Sequence, residues 1–315
     1  MKTRNLSFGI IVSIVMISIL FSGCCGLCQD PPPDPDDNWK PLNTTNNATQ
    51  NNNITPPTNL TANNVTNQSI NINQTNQNST YQNITFNGKN WTIMVYMDAD
   101  NNLEGDGFKD LNEMEIAGST DDVNIIVQMD RTEGWDTSNG DWTGAKRIYV
   151  EQDSSSQFRS KIIEDMGEVN MGDPYTLSSF IQWTTKNYPA ENYMLILWDH
   201  GAGHEGLCWD NDNYDDYLEL SELKSALQDG GTQFEVIGFD ACLMSTLEIA
   251  SIIDDHGQIM VASQESEPMD GWEYSSFLNK LKNNPDITSK QLSIEIINGF
   301  YNHYYLNPNA RDITL

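Results

Sequence analysis

From Trp91 onward the chain alternates short apolar runs with longer amphipathic ones, and this alternation constrains the fold more than any other feature. Trp91–Met97, Val123–Met129, Lys146–Val150, Tyr193–Trp198, Phe234–Phe239 and Gln258–Ser263 are short, rich in β-branched and aromatic residues, and read as strands. Leu103–Ala117, Thr176–Asn187, Leu218–Gln228, Leu243–Ile253, Tyr274–Lys282 and Ser289–Tyr305 carry apolar residues at helical spacing. Gly118 and Gly230-Gly231 close two of these helices. Strands apolar on both faces belong to a mostly parallel sheet with helices on each side. The expected fold is a three-layer α/β/α sandwich over residues 91–315, with a central sheet of about six strands. In such sheets ligands bind beyond the carboxyl ends of the strands. The chain has no internal repeat, no Walker A motif and no dinucleotide-binding glycine turn.

Residues before Trp91 have another character. Lys2 and Arg4, the apolar run Phe8–Phe21 and the small Ser22-Gly23 form an export-signal pattern over residues 1–23. The run is shorter than the roughly 20 residues of a membrane span. Leu20-Phe21-Ser22-Gly23-Cys24 resembles a lipobox, with Phe21 where leucine is more usual, so Cys24 is the expected lipidation site. Residues 24–90 are rich in Asn and Thr, lack apolar periodicity, and read as a disordered tether. Nine Asn-x-Ser/Thr acceptors between Asn43 and Asn83 suggest a glycosylated stalk. The expected location is extracellular, at the cell surface, with membrane contact only through the N-terminal anchor.

The net charge of −29 resides entirely beyond residue 90, because four basic and four acidic residues precede Trp91. A domain this acidic repels nucleic acid. Of five cysteines, Cys24, Cys25 and Cys28 crowd the anchor, leaving Cys208 and Cys242 in the globular part. A bridge between those two would compete with any reactive role for Cys242.

The strand Phe234–Phe239 leads into Asp240-Ala241-Cys242, and the strand Tyr193–Trp198 into Asp199-His200-Gly201. Two strands thus deliver a thiol and an imidazole to one edge of a sheet. A thiol becomes a good nucleophile at neutral pH when a base stands beside it. A helix starting at Leu243 would place Cys242 at its N-terminus, where anions are favoured. Gly201 lets backbone N–H groups approach an oxyanion.

Four blocks, in order, resemble the clostripain family of cysteine peptidases. They are Tyr96-Met-Asp-Ala-Asp-Asn-Asn-Leu103, Trp198-Asp-His-Gly201, Phe239-Asp-Ala-Cys-Leu-Met244 and Glu267-Pro-Met-Asp-Gly-Trp-Glu-Tyr274. The resemblance implies a caspase-like fold and acyl transfer by a dyad, His200 and Cys242. It implies an oxyanion hole from the N–H groups of Gly201 and Cys242. It makes Asp240 and Asp270 acids that bind a basic side chain, so the partners are protein or peptide substrates cleaved after Arg or, less readily, Lys. Relatives are often activated by self-cleavage after the catalytic histidine, yet residues 201–223 contain no Lys or Arg.

The resemblance requires no cofactor and leaves calcium open. Asp98, Asp100, Asp210 and Asp212 are the acidic candidates, although Leu103 and Lys109 break an EF-hand pattern. Zinc on His200, His204 and Cys208 is disfavoured, because glycines at 201, 203 and 206 oppose the helix that would align them. The rival reading is a catalytically silent binding or adhesion module on the same fold. The chain stops at Leu315, where another strand could begin, so a truncated domain is also an expectation.

Overall fold

The computed structural model describes residues 88–306. The leader, Cys24 and most of the stalk lie outside these residues. Strands β1 (Lys89–Ala99), β2 (Val123–Arg131), β3 (Ala145–Tyr149), β4 (Lys161–Gly167), β5 (Ala190–Trp198), β8 (Phe234–Asp240) and β9 (Gly257–Val261) form one sheet, ordered β4-β3-β2-β1-β5-β8-β9. β2, β1, β5, β8 and β9 run parallel, and β3 and β4 add antiparallel strands at one side. A separate hairpin pairs β6 (Leu207–Asp210) with β7 (Asp216–Leu218).

Side chains of β1 alternate between two cores. Ile93, Val95 and Met97 pack with α1 (Glu104–Ala117), α5 (Tyr274–Asn283) and α6 (Ser289–Tyr301) through Phe108, Leu111, Phe277 and Ile296. Met94 and Tyr96 enter the opposite core with α2 (Pro174–Asn187), α3 (Leu220–Gly230) and α4 (Leu247–Ile253). The strand is buried from Trp91 to Ala99 because both faces are covered. These are the three expected layers.

The structure refines the strand count, corrects one helix start and resolves the question of a Cys208–Cys242 bridge. The central sheet, expected at about six strands, has seven. The unpredicted β4 reads Lys-Ile-Ile-Glu-Asp-Met-Gly and is largely exposed, so it lacks the apolar signature of a buried strand. The helix expected from Leu243 begins only at Leu247. Leu243 takes a left-handed φ of 64°, its N–H bonds Glu265 O at 3.1 Å, and Ser245 N bonds Ser263 O at 2.7 Å. Residues 243–246 thus dock on the segment beyond β9, and Thr246 caps the helix by accepting from Ile249 N. Cys242 therefore gains nothing from a helix terminus. The rival bridge between Cys208 and Cys242, left open by the sequence, does not form.

The chain leaves β1 through α1 to β2 on one side, whereas β5 lies on β1's other side. The strand order reverses there, so the crevice of this fold opens beyond the carboxyl ends of β1 and β5.

Candidate active site

β5 and β8 are parallel neighbours, with Trp198 opposite Asp240 in register. Two residues further on each chain stand His200 and Cys242, so equal extension brings them to the same level of the sheet edge. Close approach of the backbones confirms the neighbourhood: a Cβ on Gly201 would lie 2.4 Å from Cys242 O and 3.0 Å from Ala241 Cβ. Only glycine fits there.

Both side chains are half-buried. Cys242 Sγ receives the N–H of Glu267 at 3.2 Å, a contact that favours a thiolate. Burial depresses the His200 pKa, so the ring is neutral at neutral pH unless an anion joins it. His200 Nε2 lies 2.9 Å from Asn102 Oδ1 in the loop after β1. A carbonyl oxygen only accepts, so Nε2 carries the proton and Nδ1 is left as the basic nitrogen. Asn102 is a hydrogen-bond partner of His200 that sequence reasoning did not assign. It lies in a recognised block, but nothing in the spacing says that the β1 loop reaches the end of β5. The same loop is fastened by Asn101, whose Nδ2 donates to Asp199 Oδ1 at 2.7 Å and Trp209 O at 3.0 Å.

Gly201 pairs with Leu207 in an antiparallel bridge. The flanking bonds, Cys208 N to His200 O and Ala202 N to Gly206 O, belong to the neighbouring residues. The Gly201 N–H is therefore turned away from the hairpin.

Asp240 is buried, and its Oδ2 accepts from Tyr274 Oη at 2.8 Å and Trp272 N at 3.1 Å. Burial pushes its pKa up to about 6, offset by bonds from Tyr274, Trp272 and Glu267. Glu267 is pushed well above the usual carboxylate range by burial and by Asp240. Burial and the neighbouring carboxyl thus oppose ionising both groups, and Glu267 Oε2 is buried without a partner. Asp270 belongs to the same loop: a Cβ on adjacent Gly271 would come within 2.9 Å of Asp240 Oδ1. Its half-exposed carboxylate meets Lys109 Nζ at 3.4 Å.

The other sequence candidates separate. Asp100 and Asp210 gather with Asp130 and Glu168, two acids that sequence reasoning did not select. Asp98 is buried at the end of β1 and accepts from Asp100 N, and Asp212 accepts from Thr132 Oγ1 at 3.0 Å. His204 is exposed while Cys208 is buried, so they do not converge with His200 as a zinc set.

Comparison with known proteins agrees with this architecture. The chain is 24% identical to a secreted C11 cysteine protease from Bacteroides thetaiotaomicron, solved with an irreversible peptide inhibitor, at a TM-score of 0.59 over 69% of this chain and 59% of that one. It is 22% identical to an inactive zymogen of a C11 protease from Parabacteroides distasonis, at a TM-score of 0.55 over 70% and 60% of the two chains. These likenesses show the caspase-like fold. Clostripain of Hathewaya histolytica is 33% identical over 184 residues, 50% of this chain and 35% of clostripain, so the chain spans about a third of that protein's length. The model of the clostripain family, peptidase family C11, matches residues 95–315, and with most of the chain inside that match, the protein belongs to the clostripain family.

Proposed function

We propose that the chain is a cysteine endopeptidase that cleaves after Arg, and less readily Lys, using Cys242 as nucleophile and His200 as acid–base. The observation that carries this reading is the matched extension of β5 and β8, which sets His200 and Cys242 at one level of the sheet edge. His200 Nδ1 takes the proton of the Cys242 thiol, the resulting thiolate attacks the carbonyl carbon, and the N–H groups of Gly201 and Cys242 hold the oxyanion. His200 Nδ1 then gives its proton to the leaving amine, and the Cys242 acyl-enzyme forms. Water, deprotonated by His200, releases the acid and restores the thiol. Neither Asp240 nor Glu267 is in any of the ion pairs among the described residues, and a guanidinium would supply the missing positive charge in a two-bond geometry. Asp270 completes the acidic wall once Lys109 is displaced. Export through residues 1–23, a lipid on Cys24 and a stalk over 24–90 would present the domain outside the cell. Among the described residues no helix is long and apolar enough to cross a membrane.

The reading is tested with a peptidyl-arginine chloromethyl ketone. Intact mass should show one adduct per chain, mapped to Cys242, and His200→Ala should slow its formation. An enzyme-silent binding module would take no adduct at Cys242 beyond that of general thiol reagents.

Asn102→Ala should lower kcat about 10- to 100-fold with KM nearly unchanged, because the ring loses its tautomer and aim but the substrate pocket is intact. Asn102→Asp keeps an acceptor and should recover most of that loss. A change confined to KM would assign Asn102 to the pocket instead.

Residues 201–223, which hold the β6–β7 hairpin, contain no Lys or Arg. Purified enzyme should therefore remain uncut there on prolonged incubation, as read by N-terminal sequencing. A cut within 201–223 would contradict the proposed basic specificity or reveal a second protease.

A further inference from the structure

One stripe of α1 carries charge. Asp106, Lys109, Asp110 and Glu113 recur at i, i+3, i+4 and i+7, so they lie along a single side of the helix. That side meets the residues of the proposed arginine pocket. Lys109 Nζ reaches Asp270 Oδ1 at 3.4 Å, Asp110 Oδ2 accepts from Trp198 Nε1 at 2.6 Å, and Glu113 Oε2 accepts from Tyr274 N at 2.8 Å. Asp240 joins them through the hydroxyl of Tyr274.

Negative charge is in excess here. Burial and Glu273 push the Glu113 pKa up to about 7, and burial and Asp240 hold Asp110 well above the usual carboxylate range. Among the ion pairs of the described residues, Lys109 supplies the only cation that reaches these acids, at Asp106 and at Asp270. The bond to Asp106 raises the Lys109 pKa above its ordinary value, so the ammonium is charged at neutral pH. Its two contacts differ. Asp106 lies one turn back on the same helix, has a side chain only 11% exposed, and holds Nζ at 2.6 Å. Asp270 belongs to a separate loop, is 38% exposed, and is met at 3.4 Å. The Lys109 side chain is itself 63% exposed, so it can leave Asp270 and stay on Asp106.

We propose that Lys109 is a resident competitor for the substrate's basic side chain. Its ammonium neutralises Asp270 in the empty pocket and withdraws onto Asp106 when a guanidinium takes its place. The exchange is favourable because a guanidinium meets a carboxylate with two bonds, whereas an ammonium is a point charge. A neutral side chain brings no replacement charge and leaves Lys109 on Asp270. Lys109 thus sets the affinity for basic side chains without touching the scissile bond. This role rests on the reading of Asp270 as a wall of the arginine pocket.

Steady-state kinetics of the full chain on a peptidyl-arginine amide test it. Lys109→Met should lower KM about 3- to 5-fold with kcat unchanged, close to the most that an exposed ion pair is worth. Lys109→Arg keeps the charge but grips Asp270 with two bonds, and should raise KM by a similar factor. Asp270→Asn should raise KM, and adding Lys109→Met to it should then change KM by less than about twofold, because the competition has lost its object. A substrate with a neutral side chain should not respond to Lys109→Met. Nor should the arginyl KM respond to Lys224→Met, which removes one exposed charge from α3. If Asp270→Asn raises KM but Lys109→Met leaves it unchanged, the competition is overturned and the pocket stands. A fall in KM that persists in the Asp270→Asn background, or recurs in Lys224→Met, would make the effect one of general charge and equally overturn the competition. An Asp270→Asn variant with the parent's KM would overturn the pocket reading of Asp270 and the role of Lys109 together.

Discussion

Replacing Cys242 by alanine is expected to lower kcat/KM for an arginyl amide by at least about 10⁴-fold, because acyl transfer then has no nucleophile. The fold should survive. Cys242 is half-buried, and its main described polar contact is the N–H of Glu267. Losing that acceptor costs about 1 kcal/mol, too little to unfold a domain of this size. A Tm close to the parent's, with activity at background, is therefore the expected pair of results. The other thiol of the domain cannot substitute, because Cys208 is buried in the α2/α3/α4 core. Activity that persists in Cys242→Ala would place the nucleophile elsewhere and remove the basis of the proposed mechanism.

Asp240→Asn is expected to lower kcat/KM for arginyl substrates by about 10²–10³-fold, because a buried guanidinium would lose its carboxylate. The same change should matter little for a neutral side chain at the same position, so the ratio between the two substrates is the informative measurement. The pH dependence sharpens it. Asp240 ionises at about 6, raised chiefly by burial. Arginine needs the ionised form, so kcat/KM should climb as pH rises through about 6, and that limb should vanish in Asp240→Asn. Stability moves the other way. An acid with a raised folded pKa favours its protonated form in the native state, a contribution fully present below about 3.8 and lost as pH rises through about 6. Asp240→Asn, which cannot ionise, should flatten that part of the Tm–pH curve. A variant retaining the parent's preference for arginine over a neutral residue would leave Asp240 with only its hydrogen bonds to Tyr274 and Trp272.

Local sequence determined the layers. β1, β2, β5, β8 and β9 are apolar on both faces, and only a parallel sheet covered twice satisfies such strands. The positions of His200 and Cys242 at strand ends were legible for the same reason, since a strand's end is visible where its apolar run stops. β4 and the β6–β7 hairpin were not legible. Their residues are exposed or too few, and long-range pairing rather than local preference made them strands. The helix expected at Leu243 failed on similar grounds. Its apolar spacing is helical, but the N–H groups of Leu243 and Ser245 found carbonyls beyond β9 instead.

The sequence by itself therefore gave away the class of fold and brought His200 and Cys242 forward as the candidates for nucleophilic chemistry. The tertiary structure alone decided what surrounds them. Asn102 and His200 are 98 residues apart and meet because strand order reverses between β1 and β5. Asp240 raises the pKa of Glu267 because the loop after β9 folds back over β8. Asp130 and Glu168, unremarkable in the linear chain, join Asp100 and Asp210 only when four loops close on one another. Periodicity reports what each segment buries, whereas charge–charge and hydrogen-bond partners depend on which loops the sheet order makes neighbours.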